Sequence, residues 1–129
     1  MHRYSAVLNT YMTALGRGDY ATIKSLFAPE GRVKSPFLGD MAAGPFFDRL
    51  DGASSKNVIT PIDIFVSDSQ QNHATAYFQY DWTVRDGTLI TFKVMDLFTF
   101  EPGSTRVIHL DLIYDTHPIR TTAGNKYEP

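Results

Sequence analysis

The sequence predicts an α+β domain in which about three N-terminal helices pack against an antiparallel sheet. A helical apolar period is confined to the N-terminal part of the chain. Alternating, strand-like segments follow from Val58 onward, and an Asp86-Gly87 hairpin signal joins the two longest of them.

Each element follows from local pattern. Tyr4, Val7, Leu8, Tyr11, Met12 and Leu15 fall at i, i+3, i+4, i+7, i+8 and i+11, one face of an amphipathic helix that Gly16 and Gly18 end. Asp19 suits the N-cap of a second helix carrying Tyr20, Ile23, Leu26 and Phe27, stopped by Pro29 and Gly31. Arg32 to Ser35 reads as a short strand broken by Pro36 and Gly39, and Gly44-Pro45 opens a short helix, Pro45 to Leu50. Asp51 to Asn57 reads as a loop, Val58 to Ser67 as a strand interrupted at Pro61, and Asp68 to Asn72 as a turn. His73 to Arg85 and Thr88 to Phe100 form the hairpin, and Glu101 to Thr105 turns the chain into Arg106 to Tyr114. Nothing repeats internally. Residues 1–120 read as a single domain and 121–129 as a loose tail.

Composition narrows the function. With 43% hydrophobic and 13% aromatic residues, the 129-residue chain has the material for one aromatic-rich core and is no disordered polyelectrolyte. A net charge of -2 with interspersed signs offers no basic stripe for nucleic acid and no polybasic run for an anionic membrane. No apolar run is long enough to span a bilayer and MHRYSAVL lacks the features of a signal peptide, so a cytoplasmic protein is expected. His2, His73, His109 and His117 have no metal-ligand spacing and there is no cysteine, so chemistry without metal or cofactor is expected.

The most informative stretch is TLITFKVMDLFTF. As a strand it places Ile90, Phe92, Val94, Asp96, Phe98 and Phe100 on one face, a carboxylate among apolar side chains. Buried there, Asp96 must find donors, pair with a cation or stay neutral. It is either a satisfied core aspartate tying strand to helix or a functional group.

The run YMTALGRGDYATIKSLFAPEGRVKSP, followed by VMDLFTF and RVIHLDLIYD, resembles ketosteroid isomerases and SnoaL-like polyketide cyclases of the nuclear transport factor 2-like superfamily. The resemblance spans roughly residues 4 to 118 and implies a cone-shaped α+β roll, also called cystatin-like. It places Tyr11 where the isomerases carry a helix-borne tyrosine and Asp96 where they carry a protonated aspartic acid, the pair that donates hydrogen bonds to a dienolate oxygen. It also places Ser35, in Lys34-Ser35-Pro36, where those enzymes have their proton-shuttling aspartate. A serine without a neighbouring base cannot replace it, so steroid isomerisation by the family route is not expected.

A different base depends on the hairpin register. A two-residue turn pairs Tyr77 with Asp96, Gln79 with Val94 and Asp81 with Phe92, pointing Tyr77, Gln79 and Asp81 inward; a three-residue turn reverses the parity. Ungapped similarity to the isomerases favours the first, which makes Asp81 a candidate catalytic base beside Tyr11 and Asp96. Otherwise Asp81 is solvated or paired with Arg85. Ser35, Tyr77, Gln79, Phe92, Val94, Phe98, Leu110, Leu112 and Tyr114 are then the expected ligand-binding residues. His109 and Asp111 share the opposite face of their strand and suit a surface or dimer contact. Asp115, His117 and Arg120 form either a polar rim or a closing Asp115–Arg120 pair. Limonene-type epoxide hydrolases share the fold, but Val94 and Leu112 stand where they carry an arginine and an aspartate.

Two functions fit. One is an isomerase, cyclase or lyase acting on a small apolar carbonyl compound, with Tyr11 and Asp96 as oxyanion donors. The other is a noncatalytic module that binds an apolar organic ligand or only dimerises. In the first register Phe78, Tyr80 and Trp82 join Met95 and Leu97 on the outer sheet face, a patch that implies a homodimer through the sheet under either reading.

Overall fold

The structure is a computed structural model and describes residues 2–69 and 71–120; the predicted C-terminal tail lies outside the described residues. Helices α1 (Arg3–Arg17), α2 (Tyr20–Ser25) and α3 (Ala43–Ala53) pack on a six-stranded, curved, open sheet. The strands are β1 (Phe27–Ser35), β2 (Gly39–Ala42), β3 (Ser54–Val66), β4 (His73–Val84), β5 (Leu89–Phe100) and β6 (Val107–Tyr114), in the spatial order β2-β1-β6-β5-β4-β3. This is the predicted α+β roll, with a correction: β1 runs parallel to β6, so the sheet is mixed.

α1 buries Tyr4, Leu8, Tyr11, Met12 and Leu15, the predicted stripe, and ends where Gly18 takes the left-handed conformation at φ 67°. Asp19 caps α2 by accepting from Thr22 N at 3.1 Å and Thr22 Oγ1 at 2.6 Å, bonds that hold its carboxyl below the usual range. α2 ends at Ser25, before Leu26 and Phe27, because sheet pairing begins there: Val107 N donates to Leu26 O at 3.0 Å and Phe27 pairs with Val107. The register shifts between Phe27 and Arg32, where a Cβ on Gly31 would lie 2.8 Å from the Phe27 ring, so this irregular strand start needs glycine.

The expected loop at residues 51–57 is instead the end of α3 and the start of β3. Its few apolar residues hid a strand that buries two polar side chains, Ser54 and Asn57, and Asn57 organises a buried network. Asn57 Nδ2 donates to Leu15 O (3.0 Å) and Tyr20 Oη (2.8 Å), and Tyr80 Oη donates to Asn57 Oδ1 (2.8 Å). One amide thereby joins the end of α1, α2 and β4.

The hairpin between β4 and β5 takes the three-residue turn, correcting the expected register. Val84 N donates to Thr88 O and Gly87 N to Val84 O, each at 2.9 Å, with Gly87 at φ 93°. Asp86 Oδ1 accepts from Thr88 N at 2.9 Å, which fixes the turn and holds that carboxyl below its usual range. Ala76 therefore opposes Asp96, Phe78 opposes Val94 and Tyr80 opposes Phe92. The one-residue difference turns every β4 side chain over. Phe78 and Tyr80 are buried and Trp82 packs against the core, while Tyr77, Gln79 and Asp81 occupy the outer face. Burying Phe78, Tyr80 and Trp82 in place of a tyrosine, a glutamine and a carboxylate favours this parity.

The patch expected outside from Phe78, Tyr80 and Trp82 is consequently absent. The outer face carries instead the exposed Phe65, Met95 and Ile113. Among the described residues no helix is long and apolar enough to cross a membrane.

Candidate functional site

β5 alternates as its sequence requires: Phe92, Val94, Asp96, Phe98 and Phe100 are all buried. Between this face and the helices lies a cavity of about 360 Å³ whose lining includes Tyr11, Ser35, Tyr80, Trp82, Phe92, Val94, Asp96, Leu112 and Tyr114. Such a volume suits a small organic molecule. Phe98 and Leu110, expected to touch the ligand, are fully buried core residues behind the lining; Phe98 stacks edge-on against Tyr11 with centroids 4.9 Å apart.

Asp96 is 1% exposed. Its Oδ2 accepts from Tyr11 Oη at 2.9 Å, whereas Oδ1 has no hydrogen-bond partner among the described residues. Burial pushes the Asp96 carboxyl up to about 8, the Tyr11 hydrogen bond pulling against that rise. At neutral pH the group is therefore mainly the neutral acid. With Oδ2 accepting from tyrosine, the proton belongs on Oδ1, a buried donor without a partner on a residue that lines the cavity.

Burial also raises the Tyr11 hydroxyl well above the usual tyrosine range, reinforced by the Asp96 charge and hydrogen bond. Tyr11 is thus joined to Asp96, its donated hydrogen taken up there. Tyr114 differs. Its half-buried ring packs on Phe92 with centroids 5.1 Å apart, and its hydroxyl has no partner among the described residues. Burial, then the nearby Asp96, pushes it up to about 12, so it too remains a donor. The polar ends of Tyr80 and Trp82 are turned to other partners: Tyr80 bonds Asn57, and Trp82 Nε1 donates to Ser54 Oγ at 2.8 Å. Only their rings serve the wall.

Asp81 lies outside this cavity. It accepts from Thr91 Oγ1 at 2.8 Å and from Gln79 Nε2 at 3.3 Å on the outer face, and Arg85 bonds the Asp51 and Gly52 carbonyls rather than Asp81. Tyr77, Gln79 and Asp81 therefore leave the list of cavity residues, for the parity reason given above. Ser35 lines the cavity and is buried, but its Oγ accepts from Leu38 N at 2.9 Å. Asp115 caps the following turn through His117 N, and Arg120 bonds Thr116, so the expected Asp115–Arg120 pair is not formed. Among the described residues no group of three or more histidine, aspartate or glutamate side chains could hold a metal ion.

Sequence reasoning missed the α3 contribution: Phe46, Arg49, Leu50 and Ala53 line the cavity. Their i, i+3, i+4, i+7 spacing was a readable signal, masked by ending the helix at Leu50.

Tyr11→Phe separates the effect of the hydrogen bond from that of burial. Losing the hydrogen bond that lowers the Asp96 pKa should move it further up from about 8. A carboxyl titration in the variant checks this, and a downward move contradicts it.

The fold matches known proteins. The SnoaL-like domain model matches residues 8–108, and the chain belongs to that family. No functionally curated protein matches it significantly. Among solved structures, an NTF2-like protein of unknown function from Burkholderia pseudomallei superposes with a TM-score of 0.76 at 18% identity, covering 94% of this chain and 97% of that one. A hypothetical protein with a ketosteroid isomerase-like fold from Catenulispora acidiphila, in complex with trimethylamine, gives 0.75 at 14%, covering 95% and 97%. TerC co-crystallised with polyporic acid gives 0.74 at 14%, covering 92% and 95%. At these identities the likeness is one of fold.

Proposed function

We propose that this SnoaL-like protein takes a small, mostly apolar carbonyl or phenolic compound, holding its oxygen on Asp96, and acts on it as a cofactor-independent isomerase, cyclase or lyase. The observation that carries the reading is a buried Asp96 carboxyl on the lining of an apolar cavity, with Oδ1 lacking a partner among the described residues, and burial that pushes its pKa up to about 8 supports a neutral acid there. A neutral acid there stabilises negative charge developing on a carbonyl oxygen, and the Tyr114 hydroxyl is a second donor on the same wall. Tyr11 acts through Asp96 by fixing which oxygen carries the proton. As the α C–H bond breaks and its electron pair forms the enolate double bond, the released proton would be taken up by a basic group on the substrate itself, since Asp96, the one carboxyl among the described lining residues, is already protonated in this reading.

That last point also favours a second reading, a noncatalytic binder of the same ligand class. The two separate on turnover. Ser35→Asp would place a base at the vacant position, and weak α-proton exchange of a small cyclic ketone into deuterated water is expected in the variant, above wild type. Exchange no faster than wild type would count against the isomerase-like geometry.

Binding itself is tested by titrating substituted phenols and naphthols. Affinity is expected to rise with phenol acidity in wild type, to lose that trend and fall about tenfold or more in Asp96→Asn, and to fall less in Tyr11→Phe. Affinity that follows apolar area alone, unchanged in Asp96→Asn, rejects the reading. A homodimer through the outer sheet face belongs to the same proposal, supported by exposed Phe65, Met95 and Ile113; sedimentation of wild type against Met95→Lys tests it.

A further inference from the structure

α3 presents Phe46, Arg49, Leu50 and Ala53 to the cavity. Three of these are the apolar residues such a wall calls for; the fourth is an arginine. Its neighbour Asp48, on another face of the helix, is already paired with Lys24 at 2.7 Å. Arg49 itself has neither an ion pair nor a side-chain hydrogen bond among the described residues. Asp40, on the short strand β2, is likewise committed, to Arg32 at 2.6 Å.

Position matters as much as pairing. Of the lining residues, Phe37, Leu38, Arg49 and Ala53 are exposed, so they mark the mouth, whereas Asp96 at 1% exposure marks the closed end. Arg49 and Asp96 are the two lining residues of charged type. A cavity with a neutral acid at its closed end and an uncompensated guanidinium at its mouth carries a net positive charge. This contrasts with the chain's overall -2, so the selectivity must be local. A guanidinium lying against an apolar wall keeps its stem on that wall and turns its planar donor fork to an anion at the edge.

We infer that Arg49 is a specificity residue that selects ligands bearing a carboxylate at the end opposite the oxygen held by Asp96. The ligand class is then an apolar ring or chain with a carbonyl or hydroxyl at one end and a carboxylate at the other. The inference rests on the Asp96-centred reading above and narrows it. A Lys replacement keeps the charge and loses the fork, so it retains only part of the selection.

The test compares a hydroxynaphthoic acid with its methyl ester by fluorescence titration of the full chain at mildly acidic pH. These probes differ in charge and keep the same ring and hydroxyl. In wild type the acid is expected to bind about tenfold more tightly than the ester, ~1.4 kcal/mol. Arg49→Gln should remove that preference by weakening the acid alone, and Arg49→Lys should keep a reduced one. Asp96→Asn should weaken both probes together and leave their ratio unchanged. Equal affinities in wild type, or a preference that survives Arg49→Gln, would overturn the assignment of Arg49 while the Asp96 site stands. Failure of both probes to bind would overturn that site and this inference with it.

Discussion

Asp96→Asn is expected to make the protein more stable than wild type in alkaline solution while emptying the cavity of its acid. The folded-state pKa of about 8 lies above the ~3.9 of an aspartate in an unfolded chain. Between those values the folded protein holds a proton the unfolded chain has released. The stability that Asp96 contributes is therefore full below about pH 4 and is lost as pH rises toward 8, beyond which both states are ionised. Asparagine cannot ionise, and its amide keeps an oxygen for the Tyr11 hydroxyl. The difference in melting temperature between variant and wild type should open steadily across that window and reach roughly 5 °C or more at its upper end. Parallel melting curves over the whole range would mean that Asp96 ionises normally in the folded protein.

The largest loss of stability is expected from Asn57→Leu. The substitution keeps a similar volume but removes every partner that the Asn57 amide supplies. Leu15 O loses a donor, Tyr20 Oη loses a donor, and Tyr80 Oη loses its acceptor, all in buried surroundings. Leu15 O keeps the Gly18 N–H as a donor at 3.1 Å, so the two tyrosine hydroxyls are the groups left orphaned; at about 1–3 kcal/mol each, a loss of about 3 kcal/mol is the expected total. Urea unfolding measures it directly. A change under 1 kcal/mol would show that the two hydroxyls find other partners easily. Because Tyr80 also forms cavity wall, the variant should bind naphthols more weakly even where it remains folded.

Most of the architecture could be read from the chain because its signals are local. The α1 stripe, the Gly18 and Asp19 caps, and the strict alternation of β5 each follow from the period or φ/ψ preference of a few adjacent residues. Asp96 was legible for the same reason, since alternation alone placed a carboxylate among aromatic neighbours. What escaped was decided at long range. The parity of β4 depends on one residue of turn length. Asp86-Gly87 is compatible with both turns, and the choice is made by burying Phe78, Tyr80 and Trp82 rather than by the turn itself. Asp81 was misplaced by that one step. β2, the first residues of β3 and the early end of α2 share a second cause, in that weakly apolar segments become sheet only through partners distant in sequence. Arg49 was missed because a cation on an otherwise apolar helical stripe looks like an ordinary solvent-facing residue until the opposite wall is present.

An oxygen held on Asp96 requires that carboxyl to be neutral under physiological conditions. An isotope-edited NMR titration of the Asp96 carboxyl carbon in the wild-type protein reads that state directly, without ligand and without substitution. A single transition near pH 8 is the predicted result. A transition near 4, the range of a solvated aspartate, would contradict it and leave Asp96 as an ionised structural partner of Tyr11.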